Sequence, residues 1–348
     1  MTDSSRERKV RGSQIRSSRD HKQHRDQSTA RSQDGHTTTQ QTTRATVDLA
    51  EEFVPNDESF VETPAVSRVK QRIDRWLGVN RPVHLIGPTG CGKTSLAMQT
   101  AHDRDRPVVW INGDADLSTS DLIGEYGEQE RISERDKYIH NVVKSKDIVR
   151  DRWVDNPLTI AVREGATLVY NEFSRTKPAA NNVLLSVLEE GVLELPGQRG
   201  ESRYVDVHPE FRAILTSNSI EYAGVHEPQD ALLDRLVGIH MDFYDQETEV
   251  QIVDATVETV SQAEAGALVR LMRQLRDQLD ITVGTRAAIM TAEGVGTTDV
   301  LTEQALVDIC VDVLASKIST RADVLHLRDR VEQEVTETEL DILEDASG

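Results

Sequence analysis

Five short apolar runs punctuate a chain that is otherwise rich in polar residues. They fall at 83–86, 108–111, 167–170, 213–216 and 237–241. Runs of this length without strict alternation suit strands covered on both faces, as parallel strands are, and helix-like or irregular segments separate them. The expected fold class is therefore α/β, with a five-stranded parallel sheet in an αβα sandwich. At 65–77, Val66, Val69, Ile73 and Leu77 recur at helical spacing after Thr63-Pro64, which predicts an amphipathic helix leading into the first strand. Residues 246–345 are helix-like and acidic. They carry Leu268, Leu271, Met272, Leu275 and Leu279 on one stripe, so a small helical domain is expected after the sheet.

Two segments interrupt this alternation. Between Leu122 and Pro157 lies a charged stretch with no sustained apolar stripe, expected to be an inserted interaction loop. Further on, Val192-Leu193-Glu194-Leu195 and Arg203-Tyr204-Val205-Asp206-Val207 alternate around Pro196-Gly197-Gln198-Arg199-Gly200, which is a hairpin signal. The chain is expected to divide into a basic disordered tail (1–54), a nucleotide-binding domain (55–244), a helical lid domain (245–335) and an acidic flexible tail (336–348). The acidic stretch from 329 onward is expected to fray.

Charge changes the picture at the amino end. The 348 residues carry a formal charge of −20, which disfavours nucleic acid and anionic membranes as partners. Residues 1–50 run the other way, with ten Lys or Arg against six Asp or Glu, which leaves about −24 on residues 51–348. That first segment has almost no large apolar side chains and cannot offset the entropy of ordering. Its Arg and His residues suit contact with nucleic acid or an acidic partner, but a solvated basic tail is the better reading. Acidity of this degree also matches proteins of a very salty cytoplasm. Two distant cysteines, Cys91 and Cys310, argue for a reducing compartment and against a disulfide framework. No apolar run approaches the roughly 20 residues that span a bilayer, so a cytoplasmic location is expected.

The chemistry is concentrated in one octapeptide. Gly87-Pro88-Thr89-Gly90-Cys91-Gly92-Lys93-Thr94 fills every fixed place of G-x-x-x-x-G-K-[ST], after an apolar strand and before a helix-like segment. Glycines let backbone N–H groups turn inward around phosphates, and the helix adds its positive N-terminal dipole. Lys93 reaches the outer phosphates and the Thr94 hydroxyl can ligate Mg²⁺. Cys91 fills a variable place and reads as a small tolerated residue. At the end of the third run, Asn171-Glu172 places polar groups on the carboxyl edge of the sheet. Glu172 is a candidate for polarising an attacking water, or else a solvent-facing loop glutamate. At the end of the fourth, Asn218 suits holding that water or the γ-phosphate, or simply forming a turn.

Together these features resemble the AAA+ ATPases, and within them the MoxR-type group. The likeness covers about residues 58–300 and adds Asp230-Ala231-Leu232-Leu233-Asp234-Arg235-Leu236 and Val283-Gly284-Thr285-Arg286-Ala287 to the residues above. The hairpin before the fourth strand also resembles that group's insertion. Inside the group, Glu172-Phe173-Ser174-Arg175, the stretch from Asn181-Asn182 to Glu189-Glu190, and Glu221-Tyr222-Ala223-Gly224-Val225 resemble the gas vesicle protein N family. The resemblance implies an ATP- and Mg²⁺-dependent ATPase. Lys93 and Thr94 would serve phosphates and metal, Glu172 the water, and Asn218 the sensor-one role. It implies further that Arg235 is an arginine finger for a neighbouring subunit and Arg286 a sensor-two arginine, with Arg175 a weaker second inter-subunit cation. Without the family, each arginine reads as a surface ion pair.

One departure bears on rate. The family's strand-end pair is usually Asp-Glu, and Asn171 stands where the aspartate would hold the Mg²⁺ water shell. An amide accepts from that water but brings no charge, so a slow ATPase is expected. Three functions then compete. The first is a remodeller, a hexameric ring acting on gas vesicle shell or accessory proteins. The second is a nucleotide-dependent scaffold with little turnover, and the third a MoxR-type chaperone for metal or cofactor insertion into an enzyme.

Overall fold

The computed structural model describes residues 60–135, 145–218 and 229–338. The tail expected at 1–54, the stretch Glu221-Tyr222-Ala223-Gly224-Val225 and residues 339–348 lie outside them. The described strands are β1 (Val83–Gly87), β2 (Val108–Asn112), β3 (Gly124–Arg135), β4 (Ser145–Asp155), β5 (Thr167–Asn171), β6 (Val192–Glu194), β7 (Tyr204–Asp206), β8 (Arg212–Asn218) and β9 (Val237–His240). The five apolar runs form one parallel sheet, in the order β2-β5-β8-β1-β9. Each strand extends to within a residue or two of its expected bounds.

Both faces of the sheet are covered, which is why the runs lack polar alternation. On one face Leu168 and Tyr170 of β5 and Ala213 and Leu215 of β8 pack with Leu122, Leu158 and Val162 from helices α3 (Thr119–Ile123) and α4 (Pro157–Glu164). The intervening Val169 and Ile214 face the other way. They join Val66, Ile73 and Leu77 of the helix Pro64–Gly78 and Leu96 and Ala97 of the helix Lys93–His102. The first of these helices starts where the sequence predicts: the Thr63 side chain accepts from Val66 N–H at 3.2 Å and Pro64 fills the first turn.

After the sheet the described residues form five helices, α5 (Gln246–Thr256), α6 (Gln262–Gln278), α7 (Thr285–Gly296), α8 (Glu303–Ala315) and α9 (Arg321–Glu337). They bury their own apolar cluster, in which Leu268, Leu271, Met272 and Leu275 of the predicted stripe are fully enclosed. The acidic stretch from 329 does not fray as far as it is described. Val331, Glu334 and Val335 are buried, because they return every turn or so to the face that meets α8.

The charged insertion after Leu122 is a correction. It is not a loop but an antiparallel ribbon, with Gly124 opposite Asp155 and Arg135 opposite Ser145, interrupted by a bulge between Tyr126 and Glu128. In a two-stranded ribbon the ladder pairs the inward backbone groups and water can pair the outward ones, so neither face has to be buried. Nothing therefore imposes an apolar stripe for the sequence to display. The Pro/Gly-centred hairpin is present as expected, with Leu193 paired to Val205. The base of the ribbon meets the turn of the second hairpin. Tyr126 Oη donates to Gly197 O at 2.5 Å, and the Tyr126 and Trp153 rings pack edge to face at 5.3 Å.

At that junction a Cβ on Gly197 would lie 2.3 Å from the Trp153 ring. Gly197→Ala is therefore expected to cost about 1–3 kcal/mol through overpacking. Urea unfolding followed by tryptophan fluorescence would read this as a lower midpoint.

Candidate nucleotide site

The phosphate-binding loop is shaped by close approach. Gly87 ends β1 so near β9 that a Cβ would sit 2.4 Å from the Met241 carbonyl oxygen. Gly90 and Gly92 take φ of +85° and +87°, a region in which other residues are strained. Gly92 then caps the helix Lys93–His102, directing its first N–H groups at the loop. The Lys93 ammonium is buried at the centre. It donates to Gly87 O at 2.9 Å, Pro88 O at 2.8 Å and Asn218 Oδ1 at 3.0 Å, and burial holds its pKa below the usual lysine value. Cys91 is buried and its thiol is pushed up by burial, in keeping with a small packing residue rather than a redox group.

The polar strand ends converge on that lysine. The register sets Gly87 beside Asn218 and Asn112 beside Asn171. Asn218 joins the two halves of the site, since its Oδ1 accepts from Lys93 while its Nδ2 donates to Glu172 Oε2 at 2.9 Å. Asn171 Oδ1 accepts from Thr94 Oγ1 at 2.9 Å and from Thr216 Oγ1 at 2.8 Å, and its Nδ2 donates to Asn112 Oδ1 at 2.8 Å. Thr216 in turn accepts from Glu172 N–H at 3.1 Å. Glu172 adopts a left-handed backbone, φ 52°, which costs on the order of 1–3 kcal/mol and is held by this bond and by Gly113. A Cβ on Gly113 would fall 2.2 Å from Glu172 O.

Beneath the edge lies a histidine to which the sequence reading gave no role. His84 Nε2 and Ser217 Oγ are hydrogen-bonded at 2.7 Å, and the His84 ring meets Phe173 edge to face at 4.8 Å. Thus β1, the residue before Asn218 and the residue after Glu172 are fastened together. Burial, with a smaller contribution from His240, lowers the His84 pKa to about 4. Thr216, Asn112, Gly113 and His84 all escaped sequence reasoning. Thr216 had a visible signal, a hydroxyl at a sheet edge beside Asn218, but nothing local said what it would meet.

A pocket of about 180 Å³ opens beside Gly90 and Gly92, walled by Phe60, Val61, Tyr244, Ile252 and Ile289 with Thr285 and Arg286. Its apolar walls next to a phosphate loop suit a nucleotide's base and ribose. Arg286 is brought to this pocket, and among the described residues its guanidinium makes no ion pair or hydrogen bond, which leaves a cation free for phosphate. Arg235 is not brought there. Its Nε donates to Glu189 at 2.9 Å, Nη2 pairs with the same carboxylate and Nη1 with Ala231 O. Arg175 is exposed, in the turn after Glu172.

Thr94 and Asn171 fit a Mg²⁺ ion that arrives with phosphates. They offer neutral oxygens 2.9 Å apart, and no cluster of three or more His, Cys, Asp or Glu among the described residues forms a separate metal cage.

A parallel sheet with a phosphate loop, a strand-end glutamate and a helical region after the sheet defines an ATPase of the AAA class, and the family described as AAA domain (dynein-related subfamily) matches residues 82–236. The "Gas vesicle ATPase GvpN" of Haloferax mediterranei is 69% identical, covering 95% of this chain and 97% of its own. The "Gas vesicle ATPase GvpN1" of Halobacterium salinarum is 66% identical, over 98% of this chain and 99% of its own. That of Ancylobacter aquaticus is 42% identical, over 74% of each. The chain belongs to the gas vesicle ATPase GvpN family.

The lowered His84 pKa has a pH consequence. A histidine whose folded pKa, about 4, lies below the ordinary value of 6.5 stabilises the fold fully above 6.5, and the contribution is lost as pH falls toward 4. The shift corresponds to about 3 kcal/mol. Unfolding free energies of the parent and of His84→Gln, measured between pH 7 and 4, are expected to converge by about that amount as pH falls.

Proposed function

We propose that this ATPase acts in the cytoplasm as a ring of like subunits, hexameric as is usual for the superfamily, which uses ATP hydrolysis to remodel gas vesicle shell or accessory proteins during vesicle assembly. The observation that carries the reading is the Asn218 bridge. One amide ties the lysine that meets the γ-phosphate to the carboxylate that meets water, so both sides of the cleaved bond are positioned from one strand end. Water held by Glu172 attacks the γ-phosphorus, the carboxylate takes its proton, and the bond to the β-phosphate oxygen breaks. Lys93 and Arg286 offset the charge on the phosphoryl oxygens. Mg²⁺, held by Thr94 and by phosphates with Asn171 on its water shell, would add charge neutralisation. Asn171 contributes no negative charge, so turnover is slow.

Arg235 supports the ring. It lies outside its own subunit's site, partly exposed and held by a surface pair with Glu189 and a bond to the Ala231 carbonyl, and such surface pairs contribute about 0–1 kcal/mol. A neighbour's phosphate could therefore draw it away. The helical region after the sheet acts as the lid over the nucleotide. Among the described residues no helix is long and apolar enough to cross a membrane.

Glu172→Gln keeps the shape of the side chain and loses the base. It is expected to bind ATP, to release phosphate at least about 100-fold more slowly, and to retain gas vesicle proteins in a pull-down with ATP. Normal phosphate release would remove Glu172 from this role. Arg235→Ala is expected to leave nucleotide binding and subunit association intact while lowering kcat by about 10³. An Arg235→Ala ring with parental turnover would exclude action in trans.

A further inference from the structure

Glu249 is a carboxylate buried in the helical region, with 2% of its side chain exposed. It accepts from Arg273 Nη1 at 2.6 Å, Arg276 Nη2 at 2.7 Å and Thr285 Oγ1 at 2.9 Å. Neither arginine stops at Glu249. Arg273 Nη1 also donates to Tyr244 O at 2.9 Å, while Arg276 Nε donates to Val283 O at 2.5 Å and its guanidinium lies 4.0 Å from the centre of the Phe243 ring. The carboxylate therefore grips, directly or through one arginine, two of the chain segments that line the nucleotide pocket. One holds Tyr244 and the other Thr285 and Arg286. The second segment is pressed against the phosphate loop itself, because a Cβ on Gly284 would lie 2.8 Å from Thr89 O.

A buried ion cluster is weak evidence for stability, since well-packed apolar side chains do as well or better. What apolar packing cannot supply is direction, and charge-assisted bonds from planar guanidinium forks do supply it. The cluster sits where direction has a use, behind the two segments that must hold a pocket wall at a fixed distance from the phosphate loop. We propose that Glu249 is a positioning residue for nucleotide binding, fixing Thr285 and Tyr244 as the helical wall of the pocket. This rests on the reading of that pocket as the nucleotide site.

The test uses the full chain with Glu249→Gln and Thr285→Val, singly and together. ATP binding is followed by calorimetry with Mg²⁺, turnover by phosphate release and folding by thermal melts. Glu249→Gln is expected to raise the ATP Kd and KM about tenfold, as loss of a charge-assisted hydrogen bond would. Saturating ATP should restore kcat to within about twofold, because bound nucleotide holds the wall closed. The double variant should bind no more weakly than Glu249→Gln alone, since both changes break one link. A lower Tm with unchanged ATP Kd would overturn the proposal and leave a core ion cluster only. Additive losses in the double variant would overturn it as well. Thr285→Val keeps the test open if Glu249→Gln fails to fold, since it removes one hydroxyl and should itself weaken ATP binding. A Tyr244→Ala variant with parental affinity would instead overturn the pocket reading.

Discussion

The site depends on register. Parallel strands place their carboxyl ends on one edge, and here β1 and β8 stop level at Gly87 and Asn218 while β2 and β5 stop level at Asn112 and Asn171. The last pair between β5 and β8 is Tyr170 with Leu215, so Asn171 lies beside Thr216. A slip of one residue in any pair would turn these side chains to the opposite face. It would also separate Asn218 from Lys93 or Thr216 from Asn171. The two apolar layers hold the register by shape, because the same slip would put Leu168 and Tyr170 into the layer packed around Val169 and Ile214 and leave the smaller Val169 in their place. The geometry of the candidate site is thus a by-product of the core, and the strained Glu172 backbone is tolerable because that core over-determines it.

How much of this was legible follows from how local each signal is. The phosphate loop is a contiguous octapeptide whose glycines, lysine and threonine each answer a local need, so it could be read without a partner. The five strands were readable because burial on both faces removes polar alternation. Glu172 and Asn218 were readable as strand-end residues, but their joining through one amide depends on strand order, which adjacent residues do not encode. The β3–β4 ribbon was illegible because it has no apolar stripe to display. Glu249 was illegible for a different reason. It is one acidic residue among many on an acidic helix, and its burial follows from arginines 24 and 27 positions away.

Charge is distributed with the same economy. A chain of formal charge −20 approaches an anionic nucleotide against its own long-range field. Short-range placement compensates: Lys93 is buried among carbonyls and an amide, and Arg286, with no ion pair among the described residues, stands at the pocket wall. The buried lysine donates into a region of low dielectric, where a single cation is worth more than several on the surface. Arg273 and Arg276 lie behind them but are committed to Glu249, so they orient the wall without adding free charge to it.

Asn171 fits this arrangement better than its departure from the usual aspartate suggests. Its oxygen accepts two hydroxyls and its nitrogen donates to Asn112, so each end of the amide has a partner. An aspartate could accept the same two hydroxyl bonds but would leave its second oxygen facing Asn112 Oδ1, acceptor against acceptor, until that amide turned over. The Asn112–Asn171 pair is therefore a matched unit across β2 and β5 that orients the Asn171 oxygen toward Thr94. The pair gives the Asn171 oxygen a fixed direction without negative charge, and direction is what a Mg²⁺ ion carried in by its own phosphates would still require there.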